Sequence, residues 1–245
     1  MQERIASYGG LKCKKKRVIS IFGDSILKGV RMLSGTTRYG TTDDIGLESI
    51  AERHDWILDN RSRFGCTIQK GELLLNRQLE KGETPAAVLL EYGGNDADFR
   101  WAEVAAHPFD EHEPNTPLPV FTETLRRMIE TLRAHHVKPV LSTLPPISSE
   151  RYLDWITRDG LSKENILLWL GDANAIYRYQ EKYSLAIERL VAETGCFLVD
   201  LRSAFLEKRA LLPYLCADGI HPNDAGQRLI HEVLSNAADT NPALV

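Results

Sequence analysis

Residues 17–29 read RVISIFGDSILKG. Val18, Ile19, Ile21 and Phe22 form a run with little polar alternation, the pattern of a strand covered on both faces, and Gly23-Asp24-Ser25 supplies the turn chemistry that ends it. Four further runs share that character: Trp56 to Asp59 (WILD), Ala87 to Tyr92 (AVLLEY), Lys138 to Thr143 (KPVLST) and Cys196 to Asp200 (CFLVD). Between them lie helical patterns. One covers Lys70 to Leu79. A second, over Val120 to His135, repeats Leu125, Met128, Ile129 and Leu132 at helical spacing. A third places Tyr183, Ile187, Leu190 and Val191 before Gly195, a natural helix stop. A last helix starts at Asn223, whose side chain can cap free N–H groups, and buries Leu229, Ile230, Val233 and Leu234. Strands alternating with helices imply right-handed βαβ units and one parallel sheet covered by helices on both faces, an α/β fold.

No repeat and no linker-like composition shift divides the 245 residues, so a single domain over 1–245 is expected. Two stretches exceed the minimal pattern and read as loop insertions near 103–119 and 146–175. The first contains Ala105 to Pro119, whose four prolines exclude a regular helix or central strand. The second holds Tyr152, Trp155 and Trp169 and reads as helical. Long loops at the carboxyl ends of parallel strands are where open α/β sheets place ligands.

The composition, 43% hydrophobic and 26% charged, excludes a disordered chain, a collagen-like chain and a disulfide scaffold. Thirty basic against 34 acidic residues leave a net charge of -4, with no electrostatic pull toward nucleic acid or an anionic membrane. Lys12, Lys14, Lys15, Lys16 and Arg17 read as a solvated lead-in to the first strand rather than an import or phosphate-binding patch. Cys13, Cys66, Cys196 and Cys216 show no C-x-x-C spacing, which suits reduced thiols. The chain has no signal-like apolar start and no apolar run of spanning length, so a cytoplasmic protein with no membrane insertion is expected. Oligomeric state is not legible.

Four short segments carry chemistry. Ser25, directly after the first strand, has its hydroxyl at the carboxyl edge of the sheet and its N–H near an expected helix N-terminus, a donor for a developing oxyanion. Gly-Asp-Ser is equally ordinary turn chemistry. Asp218-Gly219-Ile220-His221-Pro222 precedes the last helix. A serine hydroxyl needs a base, and an imidazole serves when a carboxylate fixes its tautomer, but the same pentapeptide also makes a plain surface turn. Gly93-Gly94-Asn95-Asp96 offers an amide donor or a routine strand-ending turn. Arg63-Phe64-Gly65-Cys66-Thr67 could contribute the Gly65 N–H. All four converge on one edge of the sheet.

Together these segments resemble the signature blocks of the SGNH hydrolases, the GDSL-type esterase and lipase superfamily, in the family's order from Gly23 to Pro222. Ile26 stands where the motif's name has Leu, and the block around Gly65 matches loosely. The resemblance implies a flavodoxin-like three-layer α/β/α sandwich with five parallel strands and no metal or organic cofactor. It also implies Ser25 as nucleophile, His221 as general base, Asp218 orienting it, and an oxyanion hole from the N–H groups of Ser25 and Gly65 and the side chain of Asn95. The G-x-S-x-G elbow of α/β-hydrolases is absent.

The expected activity is a serine ester hydrolase acting through an acyl-enzyme on a short-acyl ester, such as an acetyl ester of a carbohydrate or other small molecule. A lysophospholipase or acyl-thioesterase is the alternative within the enzyme class. Outside it stands a non-catalytic phosphate- or flavin-binding or interaction domain. Asp24, Arg100 and Trp101 are candidate substrate contacts. His107, Asp110, Glu111, His112 and Glu113 read as a solvated acidic loop rather than metal ligands. Cys66 and Cys216 read as packing residues, His135 and His136 as a helix C-terminus, and Tyr152, Trp155 and Trp169 as the private core of the insertion.

Overall fold

The computed structural model describes residues 16–42 and 45–241. Lys12, Cys13, Lys14 and Lys15 lie outside the described residues. Lys16, next to them in sequence, pairs with Asp55 at 2.9 Å. The five expected strands are β1 (Arg17–Gly23), β4 (Trp56–Asn60), β5 (Ala87–Glu91), β6 (Lys138–Ser142) and β7 (Phe197–Val199). They form one all-parallel sheet in the order β4-β1-β5-β6-β7, the flavodoxin-like order.

In β1, β5, β6 and β7 alternate residues feed two apolar layers, which explains their near-continuous apolar runs, whereas the edge strand β4 gives Trp56 and Leu58 to one layer and leaves Ile57 exposed. Ile19, Ile21, Leu89 and Val140 pack with Ile50, Leu201, Phe205, Leu229 and Ile230. Those partners come from α1 (Leu47–His54), α8 (Leu201–Leu206) and α9 (Asp224–Thr240). Phe22, Val88, Leu90 and Leu141 pack with Leu75, Phe121, Met128, Tyr183 and Ile187 on the other face. That layer is built by α2 (Ile68–Glu80), α4 (Leu118–Ala134) and α7 (Asn174–Thr194).

The expected helices at Lys70–Leu79, Val120–His135 and before Gly195 fall within α2, α4 and α7. Asn223 caps α9, its Oδ1 accepting from Ala225 N at 3.0 Å and Gly226 N at 3.2 Å. The proline-rich stretch is shorter than read. Ala105 and Ala106 end α3 (Trp101–Ala106), and Pro119 sits in the first turn of α4, where a missing N–H breaks no helical bond. The second insertion folds as α5 (Ser149–Thr157) and α6 (Lys163–Leu170) leading into α7. With α3 it makes a third apolar cluster around Phe99, Trp101, Val104, Tyr152, Leu153 and Ile166.

One expectation fails beside the site. No helix follows Ser25. The chain makes a single turn, with Lys28 N on Asp24 O at 3.2 Å, and then enters a two-stranded antiparallel hairpin, β2 (Val30–Met32) and β3 (Tyr39–Thr41). Gly29 enforces this exit: its φ is +73°, and a Cβ there would lie 2.4 Å from the carbonyl oxygen of Thr42. The Ser25 N–H therefore has no helix macrodipole behind it, only the local turn.

Asn223 does two jobs, since its Nδ2 also donates to the carbonyls of Pro213 (2.9 Å) and Leu215 (3.2 Å) in the loop that leads to His221. Asn223→Ala should lower stability by about 1 kcal/mol or somewhat more, read from the urea midpoint at unchanged slope. An unchanged midpoint would mean that water replaces the cap without loss.

Candidate active site

Ser25 follows β1 and Asn95 follows β5, the two adjacent strands at which connections leave toward opposite sides of the sheet, where open α/β sheets form a crevice. His221 enters from the loop before α9. That loop closes on itself through Cys216 N donating to His221 O at 2.8 Å and a bridge between Leu215 and Pro222. Helix α5 holds it from outside. Arg151 Nη1 reaches the carbonyls of Leu212, Leu215 and Cys216 at 3.1–3.3 Å, and Ser148 N donates to Gly219 O at 2.8 Å. Gly219 has φ +77°, and a Cβ there would lie 2.6 Å from Arg151 Cβ and 2.7 Å from Ser148 O, so no other residue fits the turn without moving α5.

The three expected side chains meet. His221 Nε2 lies 2.9 Å from Ser25 Oγ, and His221 Nδ1 lies 2.7 Å from Asp218 Oδ2. With Asp218 ionised, Nδ1 carries the proton and Nε2 faces the hydroxyl as acceptor. Asp218 has no exposed surface. Its Oδ1 accepts the N–H groups of Ile220 and His221, each at 3.0 Å. Burial pushes its carboxyl up, but the His221 hydrogen bond and charge and the two backbone N–H groups outweigh this and hold it below the usual aspartate value.

Tyr39, on the hairpin, is a contact the sequence did not announce. Its hydroxyl donates to Asp218 Oδ2 at 3.0 Å, and its ring centroid lies 4.9 Å from that of His221. Phe64 stacks on the imidazole from another direction, at 5.8 Å and 10°. Nothing in the local sequence Thr-Arg-Tyr-Gly marks Tyr39, because the hairpin that carries it has strands of only three residues each.

Asn95 Nδ2 donates to Asp24 Oδ2 at 2.8 Å, which fixes the amide's orientation and leaves its second hydrogen for the crevice. Asp24 is thus a buried support that also lines the cavity, its Oδ1 accepting Ile26 N at 2.8 Å. Beneath it lies Glu91, also without exposed surface. Burial raises both carboxyls; Glu91, next to the Asp24 charge, is pushed well above its usual value, while the Ile26 N–H and Asn95 amide partly offset burial at Asp24, so the proton of the pair sits on Glu91. Asp96 caps α2 from across the crevice, both oxygens accepting Ile68 N at 3.0 and 3.1 Å; burial raises it to about 6. This bond sets the Asn95 loop against the loop bearing Gly65. The far end of the proline-rich stretch fastens the same loop, with Asn115 Nδ2 on Asn95 O at 3.0 Å and Thr116 N on Asp96 O at 3.0 Å.

Ser25, His221, Asn95 and Gly65 all border a cavity of about 310 Å³. Trp101 lines it, whereas Arg100 is exposed, pairs with Glu103 at 2.9 Å and is not among the lining residues. Tyr152 and Trp155 both belong to the insertion's cluster and line the cavity; Trp169 belongs to the cluster alone. Cys66 and Cys216 are buried free thiols, pushed above their usual value chiefly by burial, as suits packing residues. Among the described residues no group of three or more His, Cys, Asp or Glu side chains could hold a metal, and no helix is long and apolar enough to cross a membrane.

The sequence matches the GDSL-like Lipase/Acylhydrolase family over residues 21–229. The chain belongs to that family. The expected class, carboxylic ester hydrolase, is the class of this GDSL family. One curated relative is the isoamyl acetate-hydrolyzing esterase of Saccharomyces cerevisiae, 24% identical over 127 residues, a match that spans 51% of this chain and 50% of that protein. Among solved structures, the lipase/acylhydrolase from Enterococcus faecalis shares the fold at 20% identity and TM-score 0.63, covering 91% of this chain and 95% of that one. TesA does so at 22% identity and TM-score 0.59, covering 93% and 100%.

The Glu91 proton has a measurable signature. A carboxyl raised by burial stays protonated in the folded state where the unfolded chain has released its proton. The stability it contributes is complete below the ordinary glutamate range and is lost as pH rises toward the folded-state value. Glu91→Gln keeps the shape and a donor toward Asp24 without that dependence. The variant should therefore gain stability relative to the wild type from about pH 5 upward, with a slope approaching 1.4 kcal/mol per pH unit. Parallel urea titrations at several pH values measure it, and a flat difference would mean that Glu91 is ionised in the folded protein.

Proposed function

We propose that the chain is a serine ester hydrolase working through an acyl-enzyme, with Ser25 as nucleophile, His221 as general base and acid, and Asp218 as the group that orients and charges against His221. The observation carrying this reading is the unbroken contact from buried Asp218 through His221 to Ser25 Oγ, at 2.7 and 2.9 Å, opening onto a cavity.

In this mechanism Ser25 Oγ attacks the ester carbonyl as His221 Nε2 takes its proton. The imidazolium is stabilised by the Asp218 carboxylate. Negative charge on the carbonyl oxygen is received by the N–H groups of Ser25 and Gly65 and by the second Nδ2 hydrogen of Asn95. Collapse breaks the bond to the alcohol oxygen, which takes the proton from His221. Water then attacks the acyl-enzyme with His221 again as base, releasing the acid and free Ser25. One ester and one water become one acid and one alcohol.

The substrate is a small-molecule ester carrying an apolar group. The polar groups deep in the cavity wall are already engaged. Asp98 accepts Tyr152 OH at 2.7 Å and Trp101 Nε1 at 2.8 Å, while Gln180 donates to Pro145 O at 2.7 Å and accepts from Arg202 at 3.2 Å. Few partners remain for sugar hydroxyls, so among the short-acyl esters of a carbohydrate or other small molecule expected from sequence, an ester with an apolar group suits the site better than a sugar ester.

Ser25→Ala should abolish hydrolysis of p-nitrophenyl esters in a protein that keeps its melting curve; retained hydrolysis would remove Ser25 as nucleophile. Asn95→Ala should lower kcat by about 10²–10³ with little change in KM. A loss confined to KM would assign Asn95 to substrate binding instead.

A further inference from the structure

The cavity is asymmetric about Ser25. Its buried floor is formed by Ala97, Phe99, Trp101, Leu144, Tyr152 and Ile176, each at most 8% exposed. Its rim carries Phe64 at 54% exposure, the exposed Arg158, and Tyr39 beside His221. An acetyl group would leave most of the volume empty against apolar walls. The 310 Å³, shared between floor and rim, holds a substituent several methylenes longer than acetyl together with an outward alcohol.

We propose that this cavity is an acyl pocket that selects a medium-length apolar acyl chain, the alcohol lying outward over the rim; this rests on the serine ester hydrolase reading. Two features set the direction. His221 Nε2 must reach the leaving oxygen, and the residues stacked on His221, Tyr39 and Phe64, are those of the rim. The loop that carries the Asn95 donor continues directly into Ala97 and Phe99 of the floor. With the carbonyl oxygen toward Asn95 and the alcohol toward His221, the remaining substituent, the acyl chain, enters the floor.

The floor is shared between the loops that follow β5 and β6, which give Ala97, Phe99 and Leu144, and the helices α3, α5 and α7, which give Trp101, Tyr152 and Ile176. Of the partly buried residues packed against the third apolar cluster, Ile147, Trp155, Ile156, Tyr179 and Ile220 line the cavity. Their incomplete burial is what an apolar chain in the pocket would complete. Each added methylene that leaves water there should raise kcat/KM by roughly two- to fourfold until the floor is reached.

The test compares two isomeric esters, ethyl octanoate and octyl acetate, together with p-nitrophenyl esters from acetyl to palmitoyl. It uses the wild type, Ser25→Ala, Ile156→Trp, which fills the pocket, and Ile156→Ala, which widens it. The expected result is ethyl octanoate preferred over octyl acetate by about tenfold or more, with a chain-length optimum in the medium range. Ile156→Trp should lower the octanoyl-to-acetyl ratio and Ile156→Ala move the optimum to longer chains. Hydrolysis that depends on Ser25 but favours octyl acetate, or acetyl esters throughout, would overturn the acyl pocket and leave the esterase standing. Hydrolysis that is absent, or indifferent to Ser25→Ala, would remove the esterase reading and the acyl pocket with it.

Discussion

Ser25 and His221 are 196 positions apart in the chain and 2.9 Å apart at their side chains. That contact depends on the sheet, because β1 delivers Ser25 to its carboxyl edge, while the loop before α9 must return His221 to the same edge within a fraction of an ångström. Most of the irregular structure around the site holds that return path. Asn223 caps α9 and grips the loop behind it, Arg151 takes three of the loop's carbonyls, and Gly219 lets α5 approach closely enough to bond the turn. Asp218 completes the arrangement from inside. A carboxylate with no exposed surface is tolerated because it accepts two backbone N–H groups, the imidazole and Tyr39. Removing water makes its interaction with a charged imidazole stronger than it would be at the surface.

Below that edge the protein carries three buried carboxyl groups, Asp24, Glu91 and Asp96, whose hydrogen-bond donors among the described residues are backbone N–H groups and the Asn95 amide rather than cationic side chains. Burying acids in this way works against stability, and apolar residues would pack the same volume at lower free energy. What the acids supply is direction. Asp24 holds one hydrogen of the Asn95 amide, and Asp96 holds the first N–H of α2, so donors from two different loops are fixed relative to Ser25 before any substrate arrives. Preorganised donors need no rearrangement when charge develops, which is where electrostatic catalysis gains most. The protonated state of Glu91 fits the same logic, since a second full charge beneath Asp24 would repel it from Asn95.

The sheet was legible because parallel strands covered on both faces read as continuous apolar runs, and all five were found within a residue or so at each end. The long helices were legible from Leu and Ile spacing, and α9 from its asparagine cap. The misses have a common physical origin in shortness. The hairpin strands have three residues each, too few for periodicity. Helix α1 buries only Ile50, and α8 starts straight from β7, with Asp200 capping Ser203 N as its one local signal. The helix expected after Ser25 was inferred from the usual strand–turn–helix unit, and Gly29 overrides that habit. Within the site, Ser25, Asn95, Asp218 and His221 were visible as motifs, whereas Tyr39, Phe64 and the Asp24–Glu91 pair were not, because their contribution lies in contacts between segments distant in sequence.

The division between sheet and insertion is also a division of labour in the proposed enzyme. The strand ends carry the reacting groups, and helices α3, α5 and α7 supply Trp101, Tyr152 and Ile176 to a cavity floor that they share with the loops after β5 and β6. Helix α5 takes part in both. Its first turn, through Ser148 and Arg151, anchors the loop that bears His221, while Tyr152, Trp155 and Ile156 face the cavity. The two roles use different parts of the same short helix, so the cavity-facing side can vary in size while the anchoring side keeps the base in place. An apolar wall on an element that also anchors His221 offers a place to alter substrate choice: the carbonyls that Arg151 grips lie at the opposite end of the helix from Ile156, while the link from pocket to base runs instead through Trp155, which packs on Tyr39, and through Tyr39 itself, which bonds Asp218.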